Sequence, residues 1–159
     1  MFHYQNKRKM KLKNFIYAIA GLSLAASMTG CEGEKDLVII EGNLPIKTST
    51  LYMVGDATPN GWSMDDATAF TQSPDNKYVF TWEGDFVQGD MKACLEPDGT
   101  FSCPFLRPTF SGCKINAKGV EDSEFIYTTN PDDKWRVEEA GKYRLVFDLQ
   151  NWTLQVTKL

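Results

Sequence analysis

From Leu51 onward, apolar and polar side chains alternate with a period of two, and no window keeps a three-to-four-residue apolar spacing over a dozen residues. Tyr78, Phe80 and Trp82 interleave with Val79, Thr81 and Glu83, and Met91, Ala93 and Leu95 interleave with Lys92 and Cys94. Nearer the end, Tyr143, Leu145 and Phe147 alternate with Arg144, Val146 and Asp148, and Trp152, Leu154 and Val156 with Thr153, Gln155 and Thr157. Successive side chains of a strand point to opposite faces, so this pattern buries one face and wets the other. Leu51-Tyr52-Met53-Val54 adds a continuously apolar strand. Turn chemistry punctuates the runs at Pro59-Asn60-Gly61, Gln88-Gly89, Pro97-Asp98-Gly99 and Asn130-Pro131-Asp132, where Gly or Asn accepts positive φ and Pro fixes φ. Leu149 to Asn151 closes a terminal hairpin. The spacing predicts an all-β antiparallel sandwich of about seven to nine short strands.

A segment of another kind precedes it. Lys7, Arg8, Lys9, Lys11 and Lys13 lead into an apolar run from Phe15 to Ala26, followed by Met28-Thr29-Gly30-Cys31. A positive start, a short apolar stretch and small residues before a cut site make a secretory signal, and the run is short for a membrane span. Its Gly-Cys ending resembles a bacterial lipobox, in which the cysteine is acylated and becomes the first mature residue. The alternative is an ordinary cleaved signal with a coincidental cysteine. The expected organisation is a removed lipoprotein signal peptide over 1–30, lipidated Cys31 and an acidic tether over 31–48, and the folded domain over 49–159. The acidic cluster from Glu32 to Asp36 reads either as plain linker or as an export signal for the outer face of the outer membrane. Leu37 to Ile40 is apolar, which a linker does not explain, and is a candidate extra strand. The expected location is the outer membrane, lipid-anchored and facing the exterior, with ~0.8 kcal/mol per buried acyl methylene holding it there.

Composition narrows the chemistry of what remains after Cys31, 128 residues from Glu32 to Leu159. All 21 acidic residues lie there, but five of the 17 basic ones lie in the signal, which leaves 12 against 21 and a net charge of −9. Such a domain repels phosphates and anionic headgroups, so nucleic acid is discounted as a partner. The single histidine, His3, is in the signal, which removes Ser-His-Asp and Cys-His catalysis and most zinc and copper sites. Neither a metal nor a cofactor is expected, since no EF-hand-like spacing and no CxxC pattern occurs. Cys94, Cys103 and Cys113 are an odd number, so at most one intrachain disulfide forms; the sequence does not say which.

Sixteen aromatics fall after Cys31, four Trp, four Tyr and eight Phe. On a β-scaffold such an excess serves either a dense core or a flat platform for a sugar ring. Parity places Trp82 with Tyr78 and Phe80, and Trp152 with Leu154 and Val156, on core faces. Trp62 and Trp135 follow turn signals, where an aromatic is either a binding group or a lid folded onto the core.

At this point the residues reach a family. Leu51-Tyr52-Met53-Val54-Gly55-Asp56-Ala57-Thr58-Pro59-Asn60-Gly61-Trp62 resembles the opening of the SusE/SusF-type outer-membrane starch-binding domains. In matching order come Tyr78 to Phe86, Gly89-Asp90-Met91-Lys92, Pro104-Phe105-Leu106-Arg107-Pro108, Pro131-Asp132-Asp133-Lys134-Trp135, and Ala140 to Leu159. The resemblance covers Ser49 to the end. It implies an immunoglobulin-like carbohydrate-binding sandwich on a surface lipoprotein. It further implies polysaccharide or oligosaccharide as ligand, and a TonB-dependent transporter with its glycan-binding lipoprotein as partners. By motif, the stacking role falls on Trp62, the hydroxyl donor on Lys92 and a second aromatic on Phe101, where Trp is often expected. Trp135 is a candidate replacement for Phe101, and Arg107 a second donor. Family members usually carry several such domains in series; one is expected here.

Two rivals stand beside non-catalytic glycan binding. An accessory or scaffold lipoprotein would have the sandwich without a sugar site. A glycosidase needs two carboxylates ~5–10 Å apart in a cleft. Asp65-Asp66, Asp132-Asp133 and Glu138-Glu139 are pairs that chance supplies in so acidic a chain, and neighbours on a strand point apart. The sequence therefore predicts no enzyme.

Overall fold

The structure, a computed structural model, describes residues 43–159. The expected signal peptide, Cys31 and the Leu37–Ile40 stretch lie outside the described residues.

The described residues form an all-β sandwich. In chain order the strands are β1 (Tyr52–Val54), β2 (Thr68–Ala69), β3 (Thr71–Gln72), β4 (Val79–Phe86), β5 (Gly89–Cys94) and β6 (Phe105–Pro108). They continue with β7 (Lys114–Asn116), β8 (Gly119–Val120), β9 (Phe125–Thr128), β10 (Trp135–Val137), β11 (Gly141–Asp148) and β12 (Thr153–Lys158). One sheet runs β2-β1-β5-β10-β7-β8, with β6 also on β5 and β9 on β6; the other runs β12-β11-β4-β3. The count exceeds the seven to nine expected, partly because β2, β3 and β8 are two residues each, too short to show alternation. All strand pairs are antiparallel except β10 with β7, which is parallel.

Period two explains the smaller sheet directly. Tyr143, Leu145 and Phe147 on β11 are fully buried, and their Cα partners on β4 include Trp82 opposite Leu145 and Phe80 opposite Phe147. With Leu154 they meet Met53, Met91, Ala93, Trp135 and Val137 from the other sheet in one apolar core. Phe147 is its hub, with ring centroids 5.4 Å from Phe70, 5.5 Å from Phe125 and 5.8 Å from Trp135. Burying such a side chain contributes roughly 1.5–3 kcal/mol. Trp82 and Trp152 pack on the core's margin, half-buried and stacked on Phe86 and Phe125.

β5 departs from alternation. Met91, Lys92, Ala93 and Cys94 are all buried. The strand has β1, β6 and β10 as neighbours, and the face turned away from the main core carries a second apolar cluster of Val54, Met64, Cys94 and Phe105. A loop-covered outer face therefore takes the place of the wet one.

The last residues of the expected tether run along the domain. Ile46 N donates to Leu149 O at 3.0 Å, Trp152 Nε1 to Leu44 O at 3.0 Å, and Gln72 Nε2 to Thr48 O at 3.2 Å.

Candidate functional site

Three loops and the outer face of β5 converge. The first loop follows β1 and is locked by its own backbone. Gly55 N donates to Gly61 O at 2.9 Å, Gly61 N to Thr58 O at 3.2 Å, and Thr58 Oγ1 to Gly55 O at 2.8 Å. Gly61 sits at φ +63°, the left-handed turn conformation that Gly accepts without penalty. At Gly55 a Cβ would stand 2.0 Å from Asp90 O, so only glycine lets this loop press on β5. The loop delivers Trp62, 36% exposed.

The second loop joins β5 to β6. Asp98 organises it by accepting from Thr100 N at 2.8 Å and from Thr100 Oγ1 at 2.9 Å. Asx-type bonds of this kind substitute for strand pairing in a short turn. Phe101 stands at its crest, 49% exposed. Its ring is stacked on Phe105 at 6.2 Å and meets the Trp62 ring at 6.2 Å, with 63° between the planes.

Lys92 rises from β5 between these rings. Its Nζ lies 3.9 Å from the Phe105 centroid, 5.3 Å from Phe101 and 5.9 Å from Trp62. An ammonium this close to aromatic faces is attracted by their quadrupoles. The third loop, before β10, brings Asp132, whose Oδ1 accepts from Lys92 Nζ at 2.8 Å and whose Oδ2 accepts from Lys134 Nζ at 2.8 Å. Lys134 also lies 5.9 Å from the Trp62 ring. Partial burial pushes the Asp132 carboxyl up, but the hydrogen bonds and charges of Lys134 and Lys92 outweigh it and hold the pKa at about 2.

Arg107 lies beneath, 2% exposed, donating from its NH1 to Pro131 O and placing NH2 3.5 Å from Asp132 Oδ1. The guanidinium fastens the third loop from inside. The site thus offers two exposed rings set at an angle, three cations and one carboxylate.

The family model described as "SusF, first starch specific CBM", CBM being a carbohydrate-binding module, matches residues 46–158. The chain belongs to this SusF carbohydrate-binding module family. The crystal structure of SusF from Bacteroides thetaiotaomicron aligns with a TM-score of 0.53 at 15% identity, over 72% of this chain and 25% of that one. At that identity the likeness is one of fold, and the chain spans about a quarter of that protein's length. Comparison with curated proteins gave no match.

Of the residues expected from the SusE/SusF resemblance, Trp62, Lys92 and Phe101 lie together. Arg107, 2% exposed, is corrected from a direct donor to hydroxyls to a support, and Lys92, 4% exposed, lies beneath the rings rather than at the surface. Trp135 is a correction too. It is 0% exposed, its indole Nε1 is buried without a partner, and its ring abuts Phe147 in the core. The reason is parity: Trp135 and Val137 face inward on β10 while Arg136 between them faces out. That three-residue alternation was the available signal. Asp132, Lys134 and Phe105 were not singled out as site residues, because nothing in a linear turn sequence marks an acid as a shared acceptor for cations on other elements.

Proposed function

We propose that this chain binds an α-glucan non-catalytically, with Trp62 and Phe101 as stacking faces, Lys134 as the donor to hydroxyls and covered Lys92 as the positive charge beneath the rings. The observation that carries the reading is the pair of exposed rings at 63° with an ammonium between them. Sugar C–H faces are weakly apolar and stack on aromatic rings, while nearby charged groups read the hydroxyls. An α-1,4-linked glucan curves, so its successive rings present faces at an angle to one another, whereas a flat β-1,4 chain favours coplanar platforms. Membership of a starch-specific module family points to the same ligand class.

The same reading places the protein on the outer membrane, held through acylated Cys31 and facing the exterior, beside a TonB-dependent glycan transporter and its glycan-binding lipoprotein. Its support is the lipobox-like sequence around Cys31 and the family resemblance.

Native gels containing amylopectin test the ligand. Retardation of the protein, stronger in amylopectin than in a soluble β-glucan, is the expected result. An unretarded protein across a panel of polysaccharides removes the reading in favour of an accessory lipoprotein. Palmitate labelling with and without Cys31→Ala, read against proteolysis of whole cells, tests the anchor.

A further inference from the structure

We propose that Cys94 and Cys103 form a disulfide that clamps the base of the loop carrying Phe101. The strand register brings them together. Cys94 pairs with Phe105 across β5 and β6, and Cys103 lies two residues before Phe105, in the loop that enters β6. Cys94 is fully buried in the cluster with Val54, Met64 and Phe105, and half-buried Cys103 packs against that cluster. Cys113 belongs to the main core instead, where its Sγ donates to Asp122 O at 3.9 Å. Geometry thus chooses among the three pairings that composition leaves open.

Access is asymmetric. Cys103 lines a groove of about 520 Å³ with Lys47, Thr50, Glu96 and Tyr127, while Cys94 lies behind it. The oxidant is a small disulfide or a thiol oxidase of the same chemical class. Cys103 thiolate attacks it and releases one thiolate, leaving a mixed disulfide on Cys103. Cys94 then attacks the Cys103 sulfur and expels the second thiolate. Two cysteine protons end on the two released thiols, and the oxidant takes both electrons. Burial, followed by the charges of Cys103 and Asp98, pushes Cys94 up to about 12, and burial and Asp98 also raise Cys103. Exchange is therefore slow at neutral pH and quickens as pH rises.

The bond encloses the eight residues from Leu95 to Ser102, among them Asp98 and Phe101. Closing a loop of this size restricts the unfolded chain and stiffens the Phe101 mount. Its consequence for the platform rests on the glycan-binding reading; the bond itself does not.

The full-length protein as processed by its host, extracted in detergent, is incubated with oxidised glutathione near pH 8.5 and alkylated. Chymotrypsin, which cuts at Phe101 and Phe105 between the three cysteines, then allows mapping by mass spectrometry. The expected result is a Cys94–Cys103 linked peptide, alkylated Cys113, and a melting temperature roughly 3–8 °C above that of the reduced protein. Cys113→Ser keeps the link and Cys103→Ser, at a half-exposed position, abolishes it. Full alkylation of Cys94 and Cys103 after oxidation, a link to Cys113, or a melting temperature unchanged by oxidation overturns the proposal.

Discussion

Lys92 Nζ and Asp132 Oδ1 stand 2.8 Å apart and tie the middle of β5 to the loop that leads into β10. Lys92 is 4% exposed, yet its counter-ion is more than half open to solvent. The ammonium is thus covered by the rings of Phe105, Phe101 and Trp62 and neutralised from the rim. The arrangement holds a charged donor at the floor of an aromatic cradle in a chain whose overall charge is acidic.

Asp132→Asn leaves Lys92 charged and covered with only an amide oxygen to accept from it, and frees Lys134. Because Asp132 is more than half exposed, we expect a loss of under roughly 1 kcal/mol, read as a slightly lower urea midpoint with unchanged slope. An unchanged midpoint would show that the cluster does not need the charge.

The pH response has a defined sign. Asp132 has a folded pKa of about 2 against the ordinary 3.8. A lowered pKa contributes stability that is fully present above the ordinary value and is lost as pH falls through the folded one. This group therefore leaves stability flat from neutral pH to about 4 and erodes it between about 4 and 2. Solvent exposure limits the contribution to under roughly 1 kcal/mol. Carboxyl NMR of Asp132 should titrate near pH 2; a midpoint near the ordinary value would remove the proposed hold by Lys134 and Lys92.

The tryptophans should separate cleanly. Trp62→Ala is expected to abolish gel retardation by amylopectin while shifting stability by less than about 1 kcal/mol. Trp135→Ala opens a cavity beside Phe147 and should cost about 3–5 kcal/mol. A large drop in melting temperature for Trp62→Ala would make it a core residue and move the site elsewhere.

Phe101→Ala should weaken retardation, and Phe101→Trp should strengthen it several-fold, since indole offers the larger face. Equal binding by all three versions would exclude position 101 from the platform.

Gly55→Ala forces a methyl into the backbone oxygen of Asp90 and strains a positive φ of +148°. A destabilisation above about 1 kcal/mol is expected, together with weaker glycan binding as the Trp62 loop lifts from β5. Wild-type stability and affinity in this variant would show that the loop is not seated by that contact.

By itself the sequence determined the strands and their faces wherever alternation ran long enough. β4 and β11 pair as parity dictates, with Phe80, Leu145 and Phe147 inward, because a two-residue repeat needs no knowledge of distant chain. The glycine turns before Trp62 were legible for the same local reason. The tertiary structure decided whether an outward face meets water. Lys92 and Cys94 occupy the outer face of β5 and are buried, because loops from elsewhere fold over them. Arg107 and Trp135 went inward, and Asp132, already beside Lys134 in its own loop, became a shared acceptor only when β5 and β6 brought Lys92 and Arg107 to it. Side-chain direction along a strand is a local property; cover and counter-charge depend on which loops the fold sets side by side.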